Sequence, residues 1–231
     1  MSDSAGLDNF LDKWRTRWPE WQVAETFIPA AQRPLVVAWF ALLQEFEDIM
    51  NVDGDPLPAD AKLGWWAQEL RDWSQRRSRH PLGRLLEPVQ APWAELAEAL
   101  PVVQLIRRQP GSLAEAMTQF APFARVVARI EAALFDAPTP ADHAHEAIAA
   151  QWLALRAESA GAAAAPVGLA LPAWRSQLLS RWPPRPRLSR PRRVWSRLSR
   201  LRLAREQAQQ RPVAKPLVLL WQSWISASGG R

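Results

Sequence analysis

Residues 32–51, QRPLVVAWFALLQEFEDIMN, constrain the fold more than any other stretch, because only a helix gives their pattern a coherent side. At 100° per residue, Leu35, Trp39, Leu42, Phe46, Ile49 and Met50 share one broad apolar face. Arg33, Phe40, Gln44, Glu47, Asp48 and Asn51 gather on the other. Glu47 and Asn51 are i,i+4 neighbours, and Gln44 sits one turn before Glu47. Acidic and amide groups one turn apart either hold a divalent cation or form the wet side of an ordinary helix. Spacing alone favours the wet side.

The same period recurs along the chain. It predicts helices over residues 8–21, 59–79, 112–135, 142–159, 194–210 and 216–226, with shorter pieces between 82 and 108 and from 171 to 182. In the second of these, Leu63, Trp66, Leu70 and Trp73 repeat at helical spacing. In the third, Phe120, Val127, Ile130 and Leu134 do so. β-Branched residues are sparse and no stretch alternates as a strand would. The expectation is one all-α bundle of about eight or nine helices. His80, before Pro81 at a helix exit, reads as a structural hydrogen-bonder, while His143 and His145 point to different faces and make poor joint metal ligands. Asp53 and Asp55 sit in a loop without the downstream ligands of a calcium site.

Composition excludes some chemistry. The chain has no cysteine, so disulfides, thiolate metal sites and cysteine nucleophiles are ruled out. Alanine, leucine and arginine stand where isoleucine and lysine are common, the drift of a GC-rich bacterial genome. The N-terminus has neither the basic start nor the apolar core of a secretory signal. Apolar runs reach about ten residues where a bilayer span needs roughly 20. A cytoplasmic protein, peripheral to a membrane at most, is expected. Residues 1–174 carry 15 Lys and Arg against 22 Asp and Glu, whereas residues 175–215 carry 13 against one, Glu206. The net charge of +6 therefore belongs to the C-terminal segment.

The order of segments resembles the squalene/phytoene synthase family, all-α proteins of the isoprenoid synthase fold. Pro29-Ala-Ala-Gln32-Arg33 is similar to the family's P-x-x-x-R opening of its first catalytic helix, and Trp39-Phe40 leads on to Asn51. Leu63-Gly-Trp65-Trp66-Ala-Gln-Glu69-Leu70 is similar to L-x-W-W-x-x-E-L, with His80-Pro81 following. Residues 118–135 resemble the Y-x-x-x-V-A helix, and Leu171-Pro172 the stretch after the second catalytic helix. The likeness covers residues 7–180, leaving 181–231 as a basic, proline-broken helical extension packed on or flanking it.

The resemblance implies enzymes that join prenyl diphosphates using magnesium held by two aspartate-rich motifs. Here those motifs are degenerate. The first falls on Glu47 and Asn51, with Asp48 one position off, and the arginine before it falls on Gln44. The early hydroxyl-bearing segment falls on RWPEW, residues 17–21. The second motif falls on QWLALRAESAG, where Arg156 survives and Glu158 is the one carboxylate. Arg33, Phe40 and Arg156 are the substrate-side positions carried over.

The implied function is a non-catalytic family member that binds a prenyl lipid or a partner protein in an isoprenoid-related bacterial pathway, with no cofactor. The alternative is an active magnesium-dependent prenyltransferase using Glu47, Asp48 and Glu158. The basic stretch from Arg181 to Arg211 reads as a helix packed on the acidic body, or as a contact for a prenyl lipid or an anionic membrane surface. Nucleic acid is a weaker reading, since no recognised binding module accompanies the charge.

Overall fold

The computed structural model describes residues 2–141, 143–183 and 186–228. Among these residues every regular element is helical, and eight of the α-helices run to 11 residues or more. In chain order they are α1 (Ser2–Arg17), α2 (Trp21–Ala24), α3 (Arg33–Met50), α4 (Leu57–Ser74), α5 (Gly83–Leu86), α6 (Trp93–Ala99), α7 (Pro101–Leu105), α8 (Leu113–Leu134), α9 (Ala144–Ala160), α10 (Leu171–Arg181), α11 (Arg190–Gln207) and α12 (Pro216–Ser228).

Local chemistry sets several boundaries. Pro34 lies in the first turn of α3, where its missing N–H costs nothing. The Ser112 hydroxyl accepts from the Glu115 N–H at 3.1 Å, and the Glu115 carboxylate accepts from the Gly111 N–H at 2.8 Å, a reciprocal cap that starts α8. Asp55 caps α4 through the Leu57 N–H at 3.0 Å. The helix expected to reach residue 79 stops at Ser74. Buried Glu69 pulls the chain back by accepting from the N–H groups of Arg79 (2.6 Å) and His80 (2.8 Å), and Arg76 takes up a positive φ of 60° at the turn. His80 is structural: its Nδ1 accepts from the Leu82 N–H at 3.2 Å and its ring packs on Phe10 and Trp66.

α3 is the axis. It packs against α1, α4, α5, α7 and α9, and every residue from 36 to 47 is buried. The wet side expected from its pattern is thus corrected: Phe40, Gln44 and Glu47 are buried, and Arg33, Asp48 and Asn51, at the two ends, keep partial exposure. Helices on all sides leave an axial helix no face for water.

At the centre, Phe40 meets Trp195 of α11 with ring centroids 4.2 Å apart, and Trp14 and Trp21 at 5.5 Å each. Over this cluster lies Arg192 of α11, its guanidinium 5.3 Å from the Phe40 ring and 4.7 Å from the Trp195 ring. Arg192 is fully buried and paired with Glu131 of α8, donating from Nε at 2.8 and 3.0 Å and again from Nη2. Trp39 Nε1 donates to the same carboxylate at 2.8 Å, and Arg192 Nη1 donates to Gln151 of α9 at 3.0 Å. Four helices therefore converge on one buried ion pair. Trp14, Trp39, Phe40, Glu131, Gln151, Arg192 and Trp195 have essentially no accessible surface, so no water-sized void borders them.

Candidate functional site

The C-terminal half of α3 presents the carboxylates Glu45, Glu47 and Asp48, then Asn51 as the helix cap. Two helices bring cations to them. On α1, Lys13 and Arg17 lie one turn apart on the same face. Lys13 Nζ reaches Asp48 at 2.6 Å and Glu45 at 3.2 Å, while Arg17 pairs with Glu47 and reaches Asp48 at 3.2 Å. On α4, Lys62 reaches Glu45 at 2.5 Å. Each of these carboxylates is held by lysine or arginine.

Past the end of α3, Arg107 Nη2 and Nε donate to the Ile49 carbonyl at 2.9 and 3.2 Å, and Nη1 pairs with Asp60 at 2.5 Å. Arg156 of α9 donates to Asn51 Oδ1 at 3.2 Å and to the Arg107 carbonyl at 3.2 Å. Burial, then the neighbouring Arg107 charge, holds its pKa below the ordinary guanidinium value. The bridge between α3 and α9 is a guanidinium. Glu158, two residues on, is exposed. Arg33 donates to the Ile28 carbonyl at 3.1 Å and closes the turn before α3. Gln44 is buried with its Oε1 unbonded.

Burial pushes the Glu47 carboxyl up from the usual 4.5 to about 7; Arg17 opposes this, and the charges of Asp48 and Glu158 add to it. Folded protein therefore keeps a proton between about pH 4.5 and 7 that the unfolded chain has released. Stability from this group is full below the unfolded value and falls as pH rises through 7. His80, held down to about 4 by burial, acts in the opposite sense over pH 4 to 6.5. Comparing Glu47→Gln with the parent isolates the Glu47 effect. The variant should gain roughly 2–3 kcal/mol relative to the parent between pH 5 and 8, measured by urea unfolding at both values. A constant difference would mean that Glu47 does not titrate in this range.

Sequence reasoning singled out the α3 positions, Arg156 and Glu158, and the structure brings Glu47, Asp48, Asn51 and Arg156 to one end of the bundle. It missed Lys13, Arg17, Lys62, Arg107 and Glu45. The i,i+4 spacing of Lys13 and Arg17 was a usable signal, and the other three have no local signature. Among the described residues no group of three or more histidines, aspartates and glutamates is placed to hold a metal ion.

The squalene/phytoene synthase family profile matches residues 20–136, which is 117 of 231 residues. The chain belongs to the squalene/phytoene synthase family. The crystal structure of squalene synthase HpnC from Alicyclobacillus acidocaldarius is similar with a TM-score of 0.52 at 16% identity, over 99% of this chain and 91% of that one. At that identity the likeness concerns the fold, and it runs through α10, α11 and α12 as well as the region matched by the family profile. No curated protein matches the chain.

Proposed function

We propose that this chain is a non-catalytic squalene/phytoene synthase-like protein, serving an isoprenoid-related process as a binding partner. One observation carries the reading: the α3 carboxylates are neutralised by Lys13, Arg17 and Lys62, and Arg156 bridges Asn51 on α3 to the Arg107 carbonyl. Magnesium needs oxygen ligands in near-octahedral array and draws most of its attraction from unpaired carboxylate charge. Glu47 and Asp48 on one helix, an amide at Asn51 and one exposed glutamate on the other do not fit a magnesium cluster. Lysine and arginine supply the charge a metal would bring, and they supply it permanently. Without metals to take up charge on a leaving diphosphate, ionisation loses its main source of stabilisation.

The closed centre around Phe40 and Arg192 supports a protein partner over a prenyl chain threaded through the bundle. A prenyl lipid co-purifying with the protein would turn the reading towards a lipid carrier.

One observation favours the active alternative. The charge of Glu158 on α9 is among the influences that raise the Glu47 carboxyl on α3. The deciding assay is diphosphate release from farnesyl or geranylgeranyl diphosphate with magnesium present. None is expected above a protein-free control. Turnover abolished by Glu47→Ala would overturn the proposal.

A further inference from the structure

α12 is built inside out. Its inward side is polar: Gln222 accepts from Arg197 Nε at 2.6 Å, Ser223 is buried, and the carbonyls of Ser226 and Ala227 accept from Arg193 at 3.0 and 3.2 Å. Leu219 is the one apolar side chain buried there. Its outward side is apolar, with Leu217 80%, Trp221 58%, Trp224 49% and Leu220 40% exposed. The rings of Trp221 and Trp224 stack at 5.2 Å, forming a flat aromatic plate on the surface. Residues 216–228 contain no charged side chain. A helix clamped by arginines on its polar side and left greasy outside has its apolar face turned to something other than the core.

The cations nearby identify the occupant. Lys215 is exposed immediately before the helix, and exposed Arg190 lies one turn before Arg193 on α11, beside the guanidinium that holds the helix's last carbonyls. Positive charge thus stands at both ends of an uncharged apolar face. Most other arginines of the basic segment are engaged internally: Arg192 with Glu131, Arg202 with Glu20 and the Trp18 ring, Arg175 with Glu206, and Arg181 with Glu146. Arg175 ties α10 to α11, and the other three glue this pair of helices to the body.

At 13 residues α12 is too short to cross a bilayer, which takes roughly 20, and among the described residues no helix is long and apolar enough to do so. An apolar face bearing paired tryptophans with basic groups at its ends suits the interface plane, where indole rings settle and cations meet lipid phosphate. We infer that α12 docks this protein onto an anionic bilayer surface, sinking Leu217, Leu220, Trp221 and Trp224 to the acyl boundary while Lys215 and Arg190 face the headgroups. This rests on the outer surface and is independent of whether the α3 site is catalytic.

The full chain is floated with vesicles of phosphatidylcholine, with or without phosphatidylglycerol. Binding to the anionic vesicles that weakens with salt is expected, as is quenching of tryptophan emission by lipids brominated on their acyl chains. The double variant Trp221→Glu/Trp224→Glu should bind at least about tenfold more weakly, with helix content and thermal unfolding unchanged because both side chains point outward. Lys215→Glu with Arg190→Glu should erase the preference for phosphatidylglycerol. No binding, no quenching in the parent protein, or equal binding by the double tryptophan variant overturns the inference. So does a dimer in vesicle-free solution that the tryptophan variant breaks, since the face would then belong to a second copy.

Discussion

Arg192→Ala is expected to destabilise the protein by about 3–5 kcal/mol, enough to remove a large share of an ordinary domain's 5–15 kcal/mol. The cost comes less from the lost attraction than from what is left behind. Glu131 would stay buried with only the Trp39 indole donating to it, and the Gln151 carbonyl oxygen would lose its donor. The guanidinium also covers the faces of Phe40 and Trp195, so alanine opens a hole beside both rings. Arg192→Lys should recover little, because an ammonium cannot present Nε and both Nη groups to Glu131 and Gln151 together. Adding Glu131→Met to Arg192→Met should restore much of the loss by removing both charges from the interior. Chemical denaturation of the single and double variants checks this. An Arg192→Ala protein within 1 kcal/mol of the parent would mean that the pair is not buried in solution.

Phe40→Ala is expected to cost about 3–5 kcal/mol by cavity formation. Phe40 is fully buried and its ring is shared by Trp14, Trp21, Trp195 and the Arg192 guanidinium. Several large rigid rings meet at this point and none can slide in to refill the space, which places the change at the costly end of such substitutions. Phe40→Leu should cost less than half as much, since it keeps most of the volume. If Phe40→Ala left stability untouched but abolished binding of a prenyl compound, the residue would belong to a ligand channel instead of the core.

The long amphipathic stretches were legible because burial writes a 3.6-residue period into them. Leu63, Trp66, Leu70 and Trp73 of α4, and Phe120, Val127, Ile130 and Leu134 of α8, all lie inside as their spacing implies. Periodicity fails where a helix is covered on every side, and so the Phe40–Gln44–Glu47 face of α3 read as wet. It also fails for Arg192, which looks like any other residue of a basic, proline-rich run. The helix expected from residue 194 begins earlier, at Arg190, because Pro191 is tolerated in a first turn and Ser189 caps it through the Arg192 N–H at 3.4 Å. The degenerate motif positions were visible from residue type alone. Their cationic partners Lys13 and Arg17 lie on α1, 30 to 35 residues away, and the spacing that puts those two on one face does not say which helix they will meet.

The Glu131–Arg192 pair spans 61 residues and the Glu20–Arg202 pair spans 182. During synthesis, a nascent chain that has emerged only as far as residue 180 carries both glutamates without the arginines that neutralise them. Its central helices can collapse, but sealing the interior would strand a carboxylate in an apolar medium. The ribosome must therefore deliver α11 before the molecule can lock. Until then the half-made protein should remain sensitive to proteases and dependent on chaperones, and a copy cut short at residue 180 should stay in that condition.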